Sequence, residues 1–214
     1  MASDLRILAF DTSAAHCAAA LFQGARILAD AREEMARGQA ERLMPMLADV
    51  SAGFEVDALA VCVGPGNFTG IRIAVAAARG LALARGIPAV GVSVLESLAP
   101  LEGEALVLSD GRQGRLYAQM FRAGFPDGPP RLTDVEEISQ AAPQDWQVIG
   151  YRAEEVADRL GARRWHEKGM ADLAAIARIA TTRIAAGQVE RPAPLYVRPA
   201  DAAPGAEVAP VLLA

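Results

Sequence analysis

The stretch best equipped for chemistry is Gly64-Pro65-Gly66-Asn67-Phe68-Thr69-Gly70. Its three glycines allow positive φ values and close backbone approach. Asn67 or Thr69 can cap the first free amides of a following helix. A glycine turn that opens a helix sets amides beside a positive dipole end, so the chemistry it suggests is phosphate binding. A P-loop is rejected, because Ile71-Arg72 follows Gly70 where Lys-Ser or Lys-Thr is required. The dinucleotide fingerprint fits weakly: the spacing is G-x-G-x-x-x-G, and Glu96 stands two residues beyond a strand ending in Ser93-Val94. A turn that merely needs its glycines satisfies the same spacing.

Other residue types with chemical potential are scattered. Asp11-Thr12-Ser13 suits a tight turn. Cys17 and Cys62 fall in predicted strands without metal-type spacing, which reads as buried free thiols in a reducing compartment. Arg159, Arg163, Arg164, Trp165, His166 and Lys168 form a basic cluster containing an aromatic. A solvated face is the favoured reading, with an RNA-contacting edge as the alternative.

The elements that must position these groups follow from periodicity. Ala58 to Val63 is a buried strand, Ile71 to Arg85 an alanine-rich helix stopped by Gly86 and Pro88, and Ala89 to Val94 the next strand. Together they make a right-handed βαβ unit. Before it, Leu5 to Phe10, His16 to Phe22 and Arg26 to Glu34 read as three strands. Gly38 to Ala52 reads as a helix with an apolar stripe of Leu43, Met46, Leu47 and Val50. Met44 lies off the stripe, and Pro45 should bend the helix. Glu96 to Glu104 reads as a hinge dividing residues 1–100 from 101–214. Strands at Ala105 to Ser109 and Leu116 to Phe121 follow, then a turn-rich excursion from Gly124 to Pro130. A short helix at Asp134 to Ala141, a strand at Gln147 to Gly150, and helices at Glu154 to Leu160 and Ala171 to Ala186 complete the pattern. Pro199 to Ala214 is expected to be extended.

At 214 residues the chain can bury a real core, built mainly from Ala, Leu, Val and Ile because only 5% is aromatic. A net charge of −5 argues against a free-standing nucleic-acid binder. Without an 18-residue apolar run or a signal-like start, the expectation is a cytoplasmic protein with no membrane role.

The glycine segment, continued through Ile71-Arg72-Ile73 and Ala78-Arg79-Gly80-Leu81-Ala82, closely resembles the GPGSFTG(L/V)RIG segment of the bacterial TsaB (YeaZ) family. Arg37-Gly38-Gln39-Ala40-Glu41-Arg42-Leu43 is similar to the family's RGH(S/A)ERLLPML, with Gln39 where many members carry His. The DARxGEVY segment keeps Asp110, Arg112, Gly114 and Tyr117, while Gly111 and Arg115 replace its alanine and glutamate. Asp110 and Arg112 read as a pair that orders this turn, with a partner or substrate contact as the alternative. Pro192 to Arg198 resembles the terminal P-x-Y-(L/V)-R, so the resemblance spans about residues 5 to 198.

The resemblance implies an α/β fold of two actin-like lobes, of the sugar kinase, Hsp70 and actin superfamily, each a mixed sheet with flanking helices. In that superfamily an acidic residue in the first hairpin turn faces phosphate and its metal, and Asp11 occupies that place. Asp11, Thr12, Gly64 and Gly66 are then candidates for a degenerate phosphate site, with weak ATP or ADP binding at most and no cofactor of its own. The second glycine pair of the superfamily is reduced to Gly150 before Tyr151. In the related catalytic subunit TsaD, two histidines four apart hold the metal; here those positions are Gln39 and Leu43, which removes a metal centre.

The implied role is a non-catalytic scaffold subunit in making threonylcarbamoyladenosine at position 37 of tRNA. It would pair with TsaD, with the ATPase TsaE as third partner, form a homodimer when alone, and touch tRNA weakly or indirectly. The expected docking residues are Leu43, Met44, Met46 and Leu47 on the first helix and Ala74, Ala77, Ala78 and Leu81 on the second. The rival reading is a small-molecule kinase or ATPase, and a third is a nicotinamide-dependent enzyme.

Overall fold

The structure is a computed structural model that describes residues 4–143 and 145–197. Three antiparallel strands come first: β1 (Arg6–Asp11), β2 (His16–Gln23) and β3 (Arg26–Glu34). Helix α1 (Gln39–Val50) follows, then β4 (Ala58–Cys62), α2 (Phe68–Arg85) and β5 (Ala89–Val92). The sheet order is β3-β2-β1-β4-β5, with β4 parallel to both β1 and β5. Three strands followed by helix, strand and helix is the order expected of the first half of the chain.

α2 starts three residues earlier than the alanine run suggests, because Asn67 Oδ1 accepts the Thr69 amide and caps the helix. α1 and α2 cover one face of this sheet, where Leu43, Met46, Leu47, Ile71, Ala74 and Ala78 meet Leu8, Phe10, Leu59 and Val61. Alternation along the strands sends Ile7, Ala9, Ala60 and Cys62 to the other face.

The segment expected to be a hinge opens with a helix, α3 (Val94–Leu98). Ser93 and Glu96 form a capping box, each side chain accepting the other's amide, and this is the local reason for a helix there. Only residues 99–103 remain as the link to β6 (Glu104–Asp110). Then come β7 (Leu116–Arg122), β8 (Phe125–Pro126), β9 (Arg131–Thr133), α4 (Val135–Ala141) and β10 (Gln147–Gly150). α5 (Ala153–Leu160), β11 (Trp165–Glu167) and α6 (Leu173–Ala185) complete the described chain.

The second sheet has the order β11-β10-β6-β7-β8, with β9 on β7. Two expectations are corrected here. The excursion after Gly124 contains β8, with β9 just beyond it, and the basic cluster contains the edge strand β11; at two or three residues each, none is long enough for a readable alternation. α4 and α5 cover one face of the second sheet. Its other face shares one apolar cluster with the first sheet, α3 and α6, through Val107, Phe121, Ile149, Ile176 and Ala180. α6 thus belongs by sequence to the second half and by packing to both. The expected extension of residues 199–214, and Arg198 of the family motif, lie outside the described residues.

Candidate functional site

Two turns from distant parts of the chain interlock at the carboxyl ends of β1 and β4. The Asn67 amide donates to the Ser13 carbonyl at 2.6 Å, and Thr12 Oγ1 donates to the Gly70 carbonyl at 2.7 Å. The approach demands glycine. A Cβ on Gly66 would stand 2.3 Å from the Ser13 carbonyl oxygen, and one on Gly70 only 1.8 Å from that of Thr12. Gly64, at φ 92°, accepts the Val94 amide at 2.8 Å, tying the loop to the start of α3. The structure therefore brings Asp11, Thr12, Gly64 and Gly66 into one place.

What surrounds Asp11 is not a phosphate site. The residue is sealed from solvent, and both carboxylate oxygens are taken: Oδ1 by the Ser13 amide at 2.7 Å and Oδ2 by His16 Nε2 at 2.8 Å. Burial alone would raise the carboxyl, but the hydrogen bond and charge of His16, with Ser13 in support, hold it below the usual aspartate value. His16 is itself buried, so the partner of this carboxylate oxygen comes from inside the chain. The Thr12 hydroxyl spends its proton on Gly70. The side chains present do not fit a phosphate–metal group, since both oxygens of the buried Asp11 carboxylate are already bonded, to Ser13 and His16. Sequence reading missed His16, because nothing in its spacing marks a histidine five residues along a hairpin as the partner of an aspartate.

The thiols nearby are inert. Cys62, in contact with Ser13 Oγ at 3.5 Å, is pushed well up by burial, and burial lifts Cys17 to about 11. Both stay protonated near neutral pH and are poor nucleophiles.

Two turns of the second sheet are also closed on themselves. Asp110 Oδ1 accepts the Arg112 backbone amide at 2.8 Å, so Asp110 orders this turn through the backbone rather than through a side-chain pair with Arg112. A Cβ on Gly150 would lie 1.9 Å from the Leu108 carbonyl oxygen, which also accepts the Tyr151 amide at 3.2 Å. The amide that could have gripped a phosphate is already used. On α1, Gln39 Nε2 donates to the Met35 carbonyl at 3.0 Å and Leu43 is fully buried, so these two positions do not fit a metal.

The expected docking residues divide by exposure. Leu43, Met46, Leu47, Ala74 and Ala78 are buried in the chain's own core, because they form the stripes that seat α1 and α2 on the sheet. Ala77 and Leu81 are half-buried, and Met44 is 46% exposed. The face left open is Ala40, Met44 and Ala48 on α1 beside Ala76, Gly80 and Ala84 on α2. Both triplets recur every four residues, which places each on one helix face. The apolar stripe that supplies most of the expected docking residues is the side that α1 and α2 turn to their own sheet.

Comparison with known proteins gives a consistent result. The family model described as TsaD, tRNA N6-adenosine threonylcarbamoyltransferase, matches residues 31–164. The chain is 36% identical over 124 residues to the tRNA threonylcarbamoyladenosine biosynthesis protein TsaB of Escherichia coli, covering 53% of each chain. It is 34% identical over 163 residues to the protein of that name from Buchnera aphidicola, covering 67% of this chain and 77% of that one. Against the Escherichia coli and Haemophilus influenzae relatives the match spans only 53% and 42% of their lengths. Among solved structures, YeaZ from Pseudomonas aeruginosa superposes with a TM-score of 0.72 at 28% identity, over 90% of this chain and 99% of that one.

Proposed function

Because the chain belongs to the TsaB (YeaZ) family, within the wider group that the TsaD model describes, we propose that it is a non-catalytic subunit for threonylcarbamoyladenosine synthesis in tRNA. Its task is to dock a TsaD-type transferase through the open face of α1 and α2. In the cytoplasm it would work in an assembly with a TsaE-type ATPase, and tRNA contact would be indirect. On its own, the same face would pair with a second copy of the chain.

The observation that carries this reading is the surface of Ala40, Met44, Ala48, Ala76, Gly80 and Ala84. A surface helix normally turns polar residues outward. Here small residues stand outward in a row on each helix, flanked by the exposed Glu41, Asp49 and Arg72, and let partner helices approach to the close end of the 8–10 Å range. Met44 adds a flexible apolar side chain suited to a contact. The kinase or ATPase reading loses support because Asp11 is bound internally and the Tyr151 amide is spent. The nicotinamide reading rests on glycines that the interlocked turns already account for.

The test uses Met44→Glu, Ala76→Glu and Gly80→Glu, each mixed with a TsaD-type transferase and followed by size-exclusion chromatography. A buried unpaired charge should weaken binding on the order of a hundredfold or more while circular dichroism stays unchanged. Leu43→Glu should instead damage the fold. If all three surface variants bind like the parent, docking lies elsewhere.

A further inference from the structure

Away from the glycine turn, a cleft of about 650 Å³ opens at the opposite ends of the strands. It lies between the β2–β3 turn, the end of α3 with the start of the link after it, the β10–β11 edge and one face of α6. Its volume falls within the range of about 300–1,000 Å³ typical of small-molecule sites. Phe22, Leu98 and Ile149 belong to the shared apolar cluster and give it an apolar floor, while Leu101 forms an apolar part of the rim.

The rim is cationic for a reason that strand geometry supplies. Residue pairing sets Ile149 opposite His166, so His166 shares the cleft face with Ile149, and Lys168 follows two residues later. Trp165 and Glu167 point to the other side, where Glu167 accepts the Glu154 amide. The basic cluster of the sequence is thereby split, and half of it is delivered to the cleft. α6 adds Arg178 together with Ala174, Ala175, Thr181 and Thr182, at the spacing of one helix face. Among the described residues, the Lys168 and Arg178 side chains make no ion pair or hydrogen bond. The acid in the lining, Asp172, has Oδ1 occupied by the Ala174 and Ala175 amides at 3.0 and 3.1 Å. Lys168 and Arg178 outweigh the Asp172 carboxylate in the lining, and this positive balance over an apolar floor attracts anions in a chain whose net charge is −5.

We propose that this cleft binds an amphipathic organic anion, its charged head on Lys168, Arg178 and His166 and its apolar body on Phe22, Leu98 and Ile149. The site is independent of the partner face, since none of these residues lies on α1 or α2.

The probe is 1-anilinonaphthalene-8-sulfonate, with uncharged N-phenyl-1-naphthylamine as control, titrated into the full chain by fluorescence. One sulfonate should bind per chain with a blue-shifted emission, at least tenfold more tightly than the neutral probe. The double variant Lys168→Glu/Arg178→Glu should weaken sulfonate binding tenfold or more. Thr182→Trp, at an exposed helix position, should do the same by filling the cleft. Circular dichroism and thermal melting check that both variants keep the fold. No stoichiometric binding, equal binding of the neutral probe, or parent-like binding by both folded variants would overturn the proposal.

Discussion

Nε2 of His16 lies 2.8 Å from Oδ2 of Asp11, with each side chain at most 3% exposed. The pair ties stability to pH in a direction that can be worked out. The Asp11 carboxyl is held below its usual value in the folded chain, so the unfolded state binds more protons under acid. Its contribution is fully present above the ordinary aspartate value of about 3.9 and is lost as pH falls through the lower folded value. Urea unfolding from pH 6 down to pH 2.5 should show this fall, and it should flatten in Asp11→Asn. His16→Ala at pH 7 should cost about 3–5 kcal/mol, because it strands a buried carboxylate. His16→Gln, which restores a donor, should recover part of the loss.

The glycines give a contrast within one stretch of chain. Gly66→Ala and Gly70→Ala should disrupt the interlocked turns, since each new Cβ would meet a backbone carbonyl oxygen inside 2.5 Å. Gly80→Ala meets nothing within 4 Å on an exposed helix position. It should raise stability by up to about 1 kcal/mol through helix propensity. Thermal melts of the three variants check the ordering; a Gly70→Ala variant as stable as the parent would show that the turns can part.

The frame of the molecule was legible because its strands and long helices carry strong periodic signals. β3 and β10 fall on their expected bounds, and the βαβ unit around Gly64 has the order its residues implied. α3 was missed because a five-residue helix has no period to read, and its capping box is visible only when Ser93 is taken as a stop rather than as part of a strand. At the candidate site, the sequence located Asp11, Thr12, Gly64 and Gly66 together but not what neutralises Asp11. A buried hydrogen-bonded pair depends on hairpin register, which single-sequence patterns do not encode. The docking residues show a different difficulty. Periodicity finds the buried stripe of α1 and α2 directly, whereas an open face of alanine and glycine carries almost no hydrophobic signal.

α6 is fastened to the first sheet by one arginine. Arg183 Nη1 donates to the Gly91 carbonyl at 2.6 Å, and Nη2 pairs with Glu96, the carboxylate of the α3 capping box. Arg183→Ala should cost on the order of 1–3 kcal/mol by leaving these acceptors unpaired. Glu96→Ala removes both the cap and the pair. A double-mutant cycle read by urea unfolding should give a coupling of at least about 0.5 kcal/mol, the sign of residues that act as a unit. Additive losses would mean that Arg183 serves Gly91 alone.

The internal bonding of Asp11 also sets an expectation for nucleotide. A phosphate-binding turn works by presenting free amides and an acidic residue for the metal. Here the Asn67 amide is committed to Ser13, the Thr69 amide to the Asn67 side chain, the Tyr151 amide to Leu108, and the carboxylate to His16. ATP with magnesium should therefore bind the isolated chain no more tightly than roughly millimolar, about −4 kcal/mol. Isothermal titration calorimetry measures this directly. Removing the imidazole in His16→Ala should not raise the affinity to the micromolar range, because the Asn67, Thr69 and Tyr151 amides remain spent. Micromolar ATP binding by the parent that disappears in Asp11→Ala would restore the kinase-like reading, and would mean that His16 moves aside to admit the nucleotide.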